Sequence, residues 1–431
     1  MASTTPAVYP KLMLWRDLTP LPTPLNKPTE TSPHILVVGG GVIGLTTTWS
    51  LLDQGYKVTV LSKEWATFGK EQRIASQIAG ALWEYPPAVC GQHTDKISLQ
   101  HSKKWCMVAY HVWHAIAADP NYKSAGVRMM PSNFYFPNPI DGDDFQTEKM
   151  NEIAASGVLG FQRGAHLIKN YSVDPENGGV DAYGIMAPVI DTDAGMKWLM
   201  ELVQAKGATL VTEAIHGDLL TQEHALRTRF GVEAIINCTG IASAETAGDD
   251  SCYPIRGGLI RLVNDGVKMP KVEAALTISA DVGRQNEIVF IVPRNDNTLL
   301  LGGFTEPNEW SLDLNLESPV IKRMKERCEA FLPSLKTAQI DPDYPVAQGL
   351  RPFRQRNIRV ERELRSLGDT PSRIVHSYGH GGAGWSLSFG CAGDVLGLVK
   401  DALQDLPAVS RTNQAPVDLP YSGPAVHATV A

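Results

Sequence analysis

The glycines at positions 39, 41 and 44 have the spacing of a pyrophosphate-binding turn. They follow four large apolar residues, 35–38, which predict a buried strand, and a helical pattern begins at about Val42. In the GxGxxG arrangement the first glycine makes the tight turn, the second lets the backbone approach a pyrophosphate, and the third lets the helix pack on the strand. The helix N-terminus then faces the anion with free N–H groups. Because a strand and a helix flank the glycines, this segment predicts a dinucleotide site.

The end of the next strand departs from the usual dinucleotide pattern. Residues 57–61 alternate and predict a second parallel strand. An acidic residue usually ends this strand and accepts the ribose hydroxyls. Here the position holds Ser62, followed by Lys63 and Glu64. Serine can hydrogen-bond to a hydroxyl, but the missing carboxylate disfavours a simple nicotinamide dehydrogenase.

A second strand, glycine loop and helix lie near the other end of the chain. Residues 373–378 predict a strand, glycines follow at 379, 381, 382 and 384, and a helix is predicted over 387–403. Glycines leave the backbone N–H groups bare and allow positive φ, so the loop can wrap a planar ligand. The N-terminus of its helix can face a negative group.

A stretch of small residues, 74–83, lies between these two units and ends in Trp83. Small side chains in series let a flat ligand lie against the backbone. A tightly packed loop explains the same composition equally well, and the string alone leaves both interpretations open.

The elements between the glycine loops predict two kinds of sheet. Helices are predicted over 95–118, 193–206 and 319–331, and the first of these should bury Trp105 and Trp113 in the core. Residues 119–182 are rich in Pro, Gly, Asn and Asp and predict an inserted antiparallel region. The predicted fold class is therefore α/β. A Rossmann-like domain with a parallel sheet is interleaved with an antiparallel-sheet α+β domain.

Composition excludes several classes of protein. The 431 residues carry a formal net charge of −7, with 43% hydrophobic and 20% charged residues, and there is no basic run of the kind that binds nucleic acid or lipid. No apolar run approaches the roughly 18 residues of a membrane helix. Residues 1–33 lack a signal-peptide core, and the terminal Thr-Val-Ala is not a Ser-Lys-Leu address, so a cytoplasmic location is expected. Six cysteines without CxxC or zinc spacing predict reduced thiols and no metal site.

Several separated motifs together resemble the D-amino acid oxidase family of FAD flavoproteins, over about 34–403. They occur in the order found in that family. The matching segments are 34–44, Ala75-Ser76, Ala79-Gly-Ala-Leu-Trp83, Asn237-Cys-Thr-Gly240, Arg256-Gly257, Gly302-Gly303, Gly349-Leu-Arg-Pro352, Arg359-Val-Glu-Arg-Glu363 and 376–392.

The resemblance implies two interleaved domains. The FAD-binding domain would comprise 33–90, 183–245 and 355–405, and the substrate domain 91–182 and 246–354. An extended Pro-rich arm, 1–32, would precede them, and a flexible tail, 406–431, would follow.

The resemblance also implies a set of cofactor contacts along both glycine loops and the small-residue stretch. These are Gly39, Gly41, Val42, Ile43, Gly44, Ser62, Lys63, Ala75, Ser76, Gly80, Ala81, Leu82, Ile215, Gly381, Gly382, Ala383, Gly384, Trp385 and Ser386.

The chemistry implied by the resemblance is oxidation of a carbon that bears an amine. A hydride passes to the flavin, water hydrolyses the imine, and oxygen reoxidises the flavin and gives hydrogen peroxide. Arg351 matches the family arginine that grips the substrate carboxylate, and Gly382 matches the glycine whose carbonyl accepts the amine. The alternative for Arg351 is a surface salt bridge among Arg354, Arg356 and Arg359.

Departures from the family pattern bear on the substrate. Phe290 stands where the family commonly has tyrosine, and Asn286 stands where some members have a second one. A lost hydrogen bond to a carboxylate is worth on the order of 1.5–3 kcal/mol, so a small free D-amino acid should bind more weakly. Glu84 is interpreted either as a partner for a cationic substrate or as a solvated loop carboxylate, and His380 as structural. Arg284 and Arg294 are expected to be solvated.

The leading prediction is an FAD-dependent oxidoreductase that acts on a small-molecule amine or amino acid, with oxygen as the acceptor. One alternative is a specialised amine or imine oxidase of secondary metabolism. The other is a flavin-binding protein with little turnover. A homodimer is left open as the assembly.

Overall fold

The computed structural model describes residues 12–88, 93–278, 288–368 and 371–410. The strands of this part of the chain are β1 (His34–Val38), β2 (Lys57–Ser62), β3 (Val127–Phe136), β4 (Gln162–Arg163), β5 (Asp181–Ile190), β6 (Thr209–Thr212), β7 (Ala234–Asn237), β8 (Cys252–Val263), β9 (Ala275–Ile278), β10 (Val289–Pro293), β11 (Thr298–Gly302), β12 (Glu306–Pro307), β13 (Val346–Arg354), β14 (Arg359–Arg362) and β15 (Ile374–Tyr378). The α-helices are α1 (Val42–Asp53), α2 (Ala75–Ile78), α3 (Lys96–Ala118), α4 (Asp144–Ala155), α5 (His166–Asn170), α6 (Thr192–Ala205), α7 (Leu219–Phe230), α8 (Ser243–Thr246), α9 (Pro319–Phe331) and α10 (Gly384–Leu403).

The first sheet has six strands in the order β14-β15-β7-β1-β2-β6. All neighbours are parallel except β14 and β15, which pair antiparallel. The inner strands β1 and β15 are almost wholly buried, as expected of parallel strands covered on both faces. Both predicted glycine units therefore lie in one sheet, with β7 between their strands.

Helices α1 and α10, which follow the glycine loops, pack against each other. Both are buried along most of their length, which agrees with their high content of apolar and small residues. At Gly390 the backbone of α3 comes so close that an added Cβ would lie 2.1 Å from the Cα of Trp105. Trp105 and Trp113 lie in the core as predicted, with 6% and 1% of their surface exposed.

The second sheet has nine strands and is antiparallel except for one pair. Its order is β12-β8-β11-β10-β9-β3-β5-β4, with β13 also paired to β8, and β3 runs parallel to β9. Helix α9 packs on β10 and β11. One parallel and one antiparallel sheet, built from alternating stretches of the chain, confirm the predicted fold class. The exact domain boundaries stay a prediction, and residues 1–11 and 411–431 of the predicted arm and tail lie outside the described residues.

The described part of the arm is held on α1 by one buried carboxylate. Asp53 accepts hydrogen bonds from the backbone N–H of Thr19 (2.7 Å) and Leu25 (3.1 Å) and from the indole of Trp49 (2.7 Å). The ammonium of Lys206 lies 2.7 Å from the same carboxylate, and both side chains are fully buried. Burial lowers the pKa of Lys206, although the bond to Asp53 opposes that shift.

Among residues 12–88, 93–278, 288–368 and 371–410, no helix combines the length and apolar character that crossing a membrane requires. The five cysteines in these ranges, Cys106, Cys238, Cys252, Cys328 and Cys391, are free thiols.

Replacing Asp53 should test how far this buried pair stabilises the fold. Asp53→Asn leaves the Lys206 ammonium buried without a counter-charge, so the free energy of unfolding should fall by roughly 3–5 kcal/mol. Urea denaturation measures the change. Glu201→Gln is the matched control, because Glu201 pairs with Lys197 at 4.0 Å on the exposed face of α6. Its loss should stay below about 1 kcal/mol, and equal losses for the two variants would contradict the account.

Candidate active site

A cavity of about 620 Å³ brings the two glycine loops together. Every predicted site residue except Gly44 lines it. Those residues are Gly39, Gly41, Val42, Ile43, Ser62, Lys63, Ala75, Ser76, Gly80, Ala81, Leu82, Ile215, Phe290, Arg351, Gly381, Gly382, Ala383, Gly384, Trp385 and Ser386. Segments far apart in the chain thus line a single cavity.

The first loop is tight enough to require glycine at two positions. Gly39 has φ +118°, and a Cβ there would lie 2.3 Å from the carbonyl oxygen of Cys238 at the end of the neighbouring strand. A Cβ on Gly44 would lie 1.9 Å from the carbonyl oxygen of Gly39. Gly44 is therefore placed behind the loop, where it lets α1 approach β1, and it does not line the cavity.

Ser76 joins the N-terminal ends of α1 and α10. Its hydroxyl accepts a hydrogen bond from the backbone N–H of Val42 at 3.0 Å, and its carbonyl accepts one from the indole of Trp385 at 2.8 Å. A Cβ on Gly41 would come within 3.0 Å of the Ser76 hydroxyl. The small-residue stretch is thus a wall of the cavity that connects both loops.

The second loop is built around two residues with positive φ, Gly379 (+82°) and Gly381 (+57°). A Cβ on Gly379 would lie 2.5 Å from Cδ of Arg354, and the N–H of Gly381 donates to the carbonyl of Pro352 at 2.9 Å. His380 is buried, and burial lowers the pKa of its imidazole to about 3. It is therefore neutral at physiological pH.

The hydroxyl of Ser62, at the end of β2, makes hydrogen bonds within the protein, to Gly40 in the first glycine loop and to Glu64. The oxygen accepts from the N–H of Gly40 at 3.0 Å, and the proton is donated to the carbonyl of Glu64 at 2.6 Å. It lines the cavity and can offer a ligand a lone pair but no proton.

Arg351 enters the cavity from β13. Its guanidinium lies against Gly257 of the paired strand β8, where a Cβ would be 2.2 Å from Nη1. Nη1 donates to the carbonyl of Phe304 at 3.2 Å. Of the arginines in the alternative cluster, Arg354 pairs with Asp249 and Arg359 with Glu361.

Phe290 faces the small-residue wall. A Cβ on Gly80 would lie 2.3 Å from Cζ of the Phe290 ring. The cavity lining also includes apolar residues that were not predicted, Ile78, Leu259, Ile278, Ile288 and Leu312, and the polar Thr277 and Thr305. These residues belong to ordinary alternating strands, a short helix and a loop, so their local sequence carries no signal that separates them from the core.

Glu84 lines the cavity, but its side chain is mostly buried and is paired with a positive charge. Its carboxylate lies 3.3 Å from Nζ of Lys149, with 14% of the Glu84 side chain and 4% of the Lys149 side chain exposed. Lys149 also donates to the carbonyl of Pro87 at 2.8 Å. The negative charge is thus compensated inside the protein.

The expectation that Arg294 is solvated is wrong, since only 3% of it is exposed. Its guanidinium points inward from the end of β10, towards Asp191 and Asp193 at the start of α6. Burial lowers its pKa to about 10, against the opposing influence of those two carboxylates, so it stays charged at neutral pH.

Arg284 and Asn286 lie outside the described residues. Within the described ranges, no group of three or more His, Cys, Asp or Glu side chains could hold a metal ion.

The chain is similar in sequence to a family of FAD-dependent enzymes. A family model described as FAD dependent oxidoreductase (DAO) matches residues 34–396. The D-amino-acid oxidase of Streptomyces coelicolor is 29% identical over 369 residues, which cover 86% of this chain and 97% of that relative. The D-amino acid oxidase of Dugesia ryukyuensis is 26% identical over 380 residues, which cover 86% of this chain and 98% of the relative.

Solved structures with the same fold include a glycine oxidase from Geobacillus kaustophilus. It has a TM-score of 0.64 and 17% identity and covers 89% of this chain and 98% of its own. An iminodiacetate oxidase from Chelativorans has a TM-score of 0.63 and 13% identity, with 88% and 98% covered. Given the match over most of its length, the chain belongs to the DAO family of FAD-dependent oxidoreductases.

Proposed function

We propose that this enzyme oxidises an amine that stands next to a carboxylate, in the manner of a D-amino acid oxidase. The observation that carries the proposal is Arg351, a guanidinium that lines the cavity formed by both glycine loops, together with the apolar residues Leu259, Ile288 and Phe290. A carboxylate matches the planar, two-donor geometry of a guanidinium.

The residues of the cavity fit FAD. In the proposed placement the pyrophosphate lies at the N-terminus of α1, beside Gly39, Gly41, Val42 and Ile43, where the glycine backbone allows close approach. The adenosine end extends towards Ser62, Lys63 and Ile215. The flavin ring lies between residues 80–82 and residues 381–386, at the N-terminus of α10, whose N-cap residue Ala383 makes no side-chain cap. When bound, FAD accepts the hydride that the oxidation removes.

The chain's own contribution is to bind and orient the substrate. Arg351 would grip the carboxylate through two parallel N–H···O bonds, which a lysine cannot reproduce. The carbonyl of Gly382 would accept a hydrogen bond from the amine. Two fixed points would leave the carbon between them in one orientation, and alignment of this kind supplies much of the catalysis.

The apolar residues that line the cavity indicate which substrate side chain it can accept. Phe290 offers no hydroxyl to the carboxylate, and the charge of Glu84 is balanced by Lys149. The reacting end of the cavity therefore favours an apolar side chain, and it should bind the smallest amino acids weakly. In the proposed reaction the imine product hydrolyses in water, and oxygen is reduced to hydrogen peroxide.

A specialised amine or imine substrate is the second candidate. The observation that favours it is Phe290, because loss of the tyrosine hydroxyl weakens recognition of a free amino acid. Assembly as a homodimer and a cytoplasmic location stay predictions from the sequence.

A panel of D- and L-amino acids tests the proposal directly. Incubated in air, the enzyme should release hydrogen peroxide with D-amino acids that carry apolar side chains, and should release less with D-alanine and none with the L-enantiomers. Peroxide is measured by a coupled peroxidase assay. Peroxide from none of them would favour the specialised substrate, and peroxide from L-amino acids alone would contradict the proposal.

Arg351→Leu tests the carboxylate contact. The variant removes a charge-assisted interaction worth on the order of 1.5–3 kcal/mol, so KM for a carboxylate substrate should rise about ten- to a hundredfold. The flavin absorption spectrum should stay unchanged. Arg356→Leu is the matched control, because Arg356 is an exposed arginine five residues along that does not line the cavity. An unchanged KM in Arg351→Leu would remove Arg351 from the substrate site.

A further inference from the structure

Arg294 is a buried arginine that the proposed reaction does not use. It follows strand β10 directly, four residues after Phe290, and 3% of its surface is exposed. Its backbone N–H donates to the carbonyl of Thr298 at 2.8 Å, which closes the turn between β10 and β11. A charged side chain is costly to bury unless its partners are well placed, so its contacts indicate what it holds.

The guanidinium reaches from the second sheet to the wall of the cavity. Nη2 donates to the carbonyl of Ala79 at 2.8 Å, and Nη1 donates to the hydroxyl of Thr192. That hydroxyl in turn donates to the carbonyl of Gln77 at 2.6 Å. One side chain thus fixes two carbonyl groups of the small-residue wall, one directly and one through Thr192.

The segment that it holds is the part of the wall that faces Phe290. Gly80 follows Ala79, and its Cα has no room for a side chain beside the Phe290 ring. Ala81 adopts φ +49°, which is unfavourable for a residue with a Cβ, and its carbonyl accepts from the N–H of Ile190 at 3.1 Å. The strained turn is therefore held from one side by β5 and from the other by Arg294.

The carboxylates near Arg294 are themselves tied to the wall or to the same turn. Asp193 accepts from Nε2 of Gln77 at 2.8 Å and pairs with Arg73. Asp191 accepts from Nδ2 of Asn295 at 2.8 Å, next to Arg294 in the chain. Ion pairs and hydrogen bonds therefore connect the small-residue wall, the end of β10 and the start of α6.

We propose that Arg294 is a positioning residue that sets the separation between the Ala79–Ala81 wall and Phe290, and thereby the fit of the flavin ring and substrate. The inference rests on the proposed placement of the ring beside residues 80–82. Arg294 directly follows the strand that carries Phe290, so the bond to Ala79 links the position of that strand to the wall. Packed elements move as units rather than deform continuously.

Arg294→Met tests the proposal, since methionine fills part of the volume and removes both hydrogen bonds. The dissociation constant of FAD, measured by the fluorescence of released flavin, should rise about tenfold, and the visible circular dichroism of bound flavin should change. For a substrate that is turned over, kcat should fall about tenfold while KM changes less. Arg294→Lys keeps the charge and can reach Ala79, so it should recover part of each loss.

Arg128→Met is the matched control. Arg128 donates to the carbonyl of Pro293 on the same strand but is one-third exposed and does not line the cavity. It should leave FAD affinity, dichroism and kcat unchanged. Thr192→Val should shift FAD affinity in the same direction as Arg294→Met by a smaller factor, and it keeps the inference testable if the methionine variant does not fold.

A folded Arg294→Met protein with wild-type FAD affinity, dichroism and kcat would overturn the inference. So would Arg128→Met losses of the same size, because a general effect on strand stability would then explain both. A different result would refute the proposed substrate reaction. Wild-type protein that oxidises no D-amino acid would refute that reaction, while the FAD affinity of Arg294→Met would still decide the role of Arg294.

Discussion

The site depends on Ser76, which connects the N-terminal ends of two helices that are far apart in the chain. Its hydroxyl binds the first backbone N–H of α1 and its carbonyl binds the indole of Trp385 in the first turn of α10. Helices α1 and α10 also pack directly on each other, and Ser76 adds a hydrogen-bonded link between their N-terminal ends. Buried polar groups with satisfied partners hold such junctions firmly, so this short segment helps to fix how the loops face each other.

The reacting end of the cavity combines few charges with many apolar contacts. Arg351 is accommodated because Gly257 has no side chain, and Phe290 because Gly80 has none. Glu84, which also lines the cavity, is paired with Lys149. In the proposed function, Arg351 binds the substrate carboxylate and the apolar residues contact its side chain, because burying a further charged group without a partner would cost free energy.

Much of the fold could be predicted from the sequence, because periodicity and glycine spacing are local signals. The strand before Gly39, the helix over 319–331 and the second glycine loop follow directly from such patterns. Arg294 could not be placed, since whether an arginine is buried depends on carboxylates supplied by α6 about a hundred residues earlier in the chain. The partner of Glu84 was unpredictable for the same reason, because Lys149 comes from another helix. Ion pairs between distant segments leave no spacing that a single sequence reveals.

The central claim is that one cavity holds FAD and an amino acid together, with Arg351 as the carboxylate fork. Its most direct test is anaerobic mixing of the purified, flavin-loaded protein with one equivalent of an apolar D-amino acid while the visible flavin absorption is recorded. We expect the visible absorption band of the oxidised flavin to bleach in a single turnover. Bleaching should be fast with the wild type, much slower at the same concentration with Arg351→Leu, and absent with the L-enantiomer. Equal bleaching rates for wild type and Arg351→Leu would contradict the account.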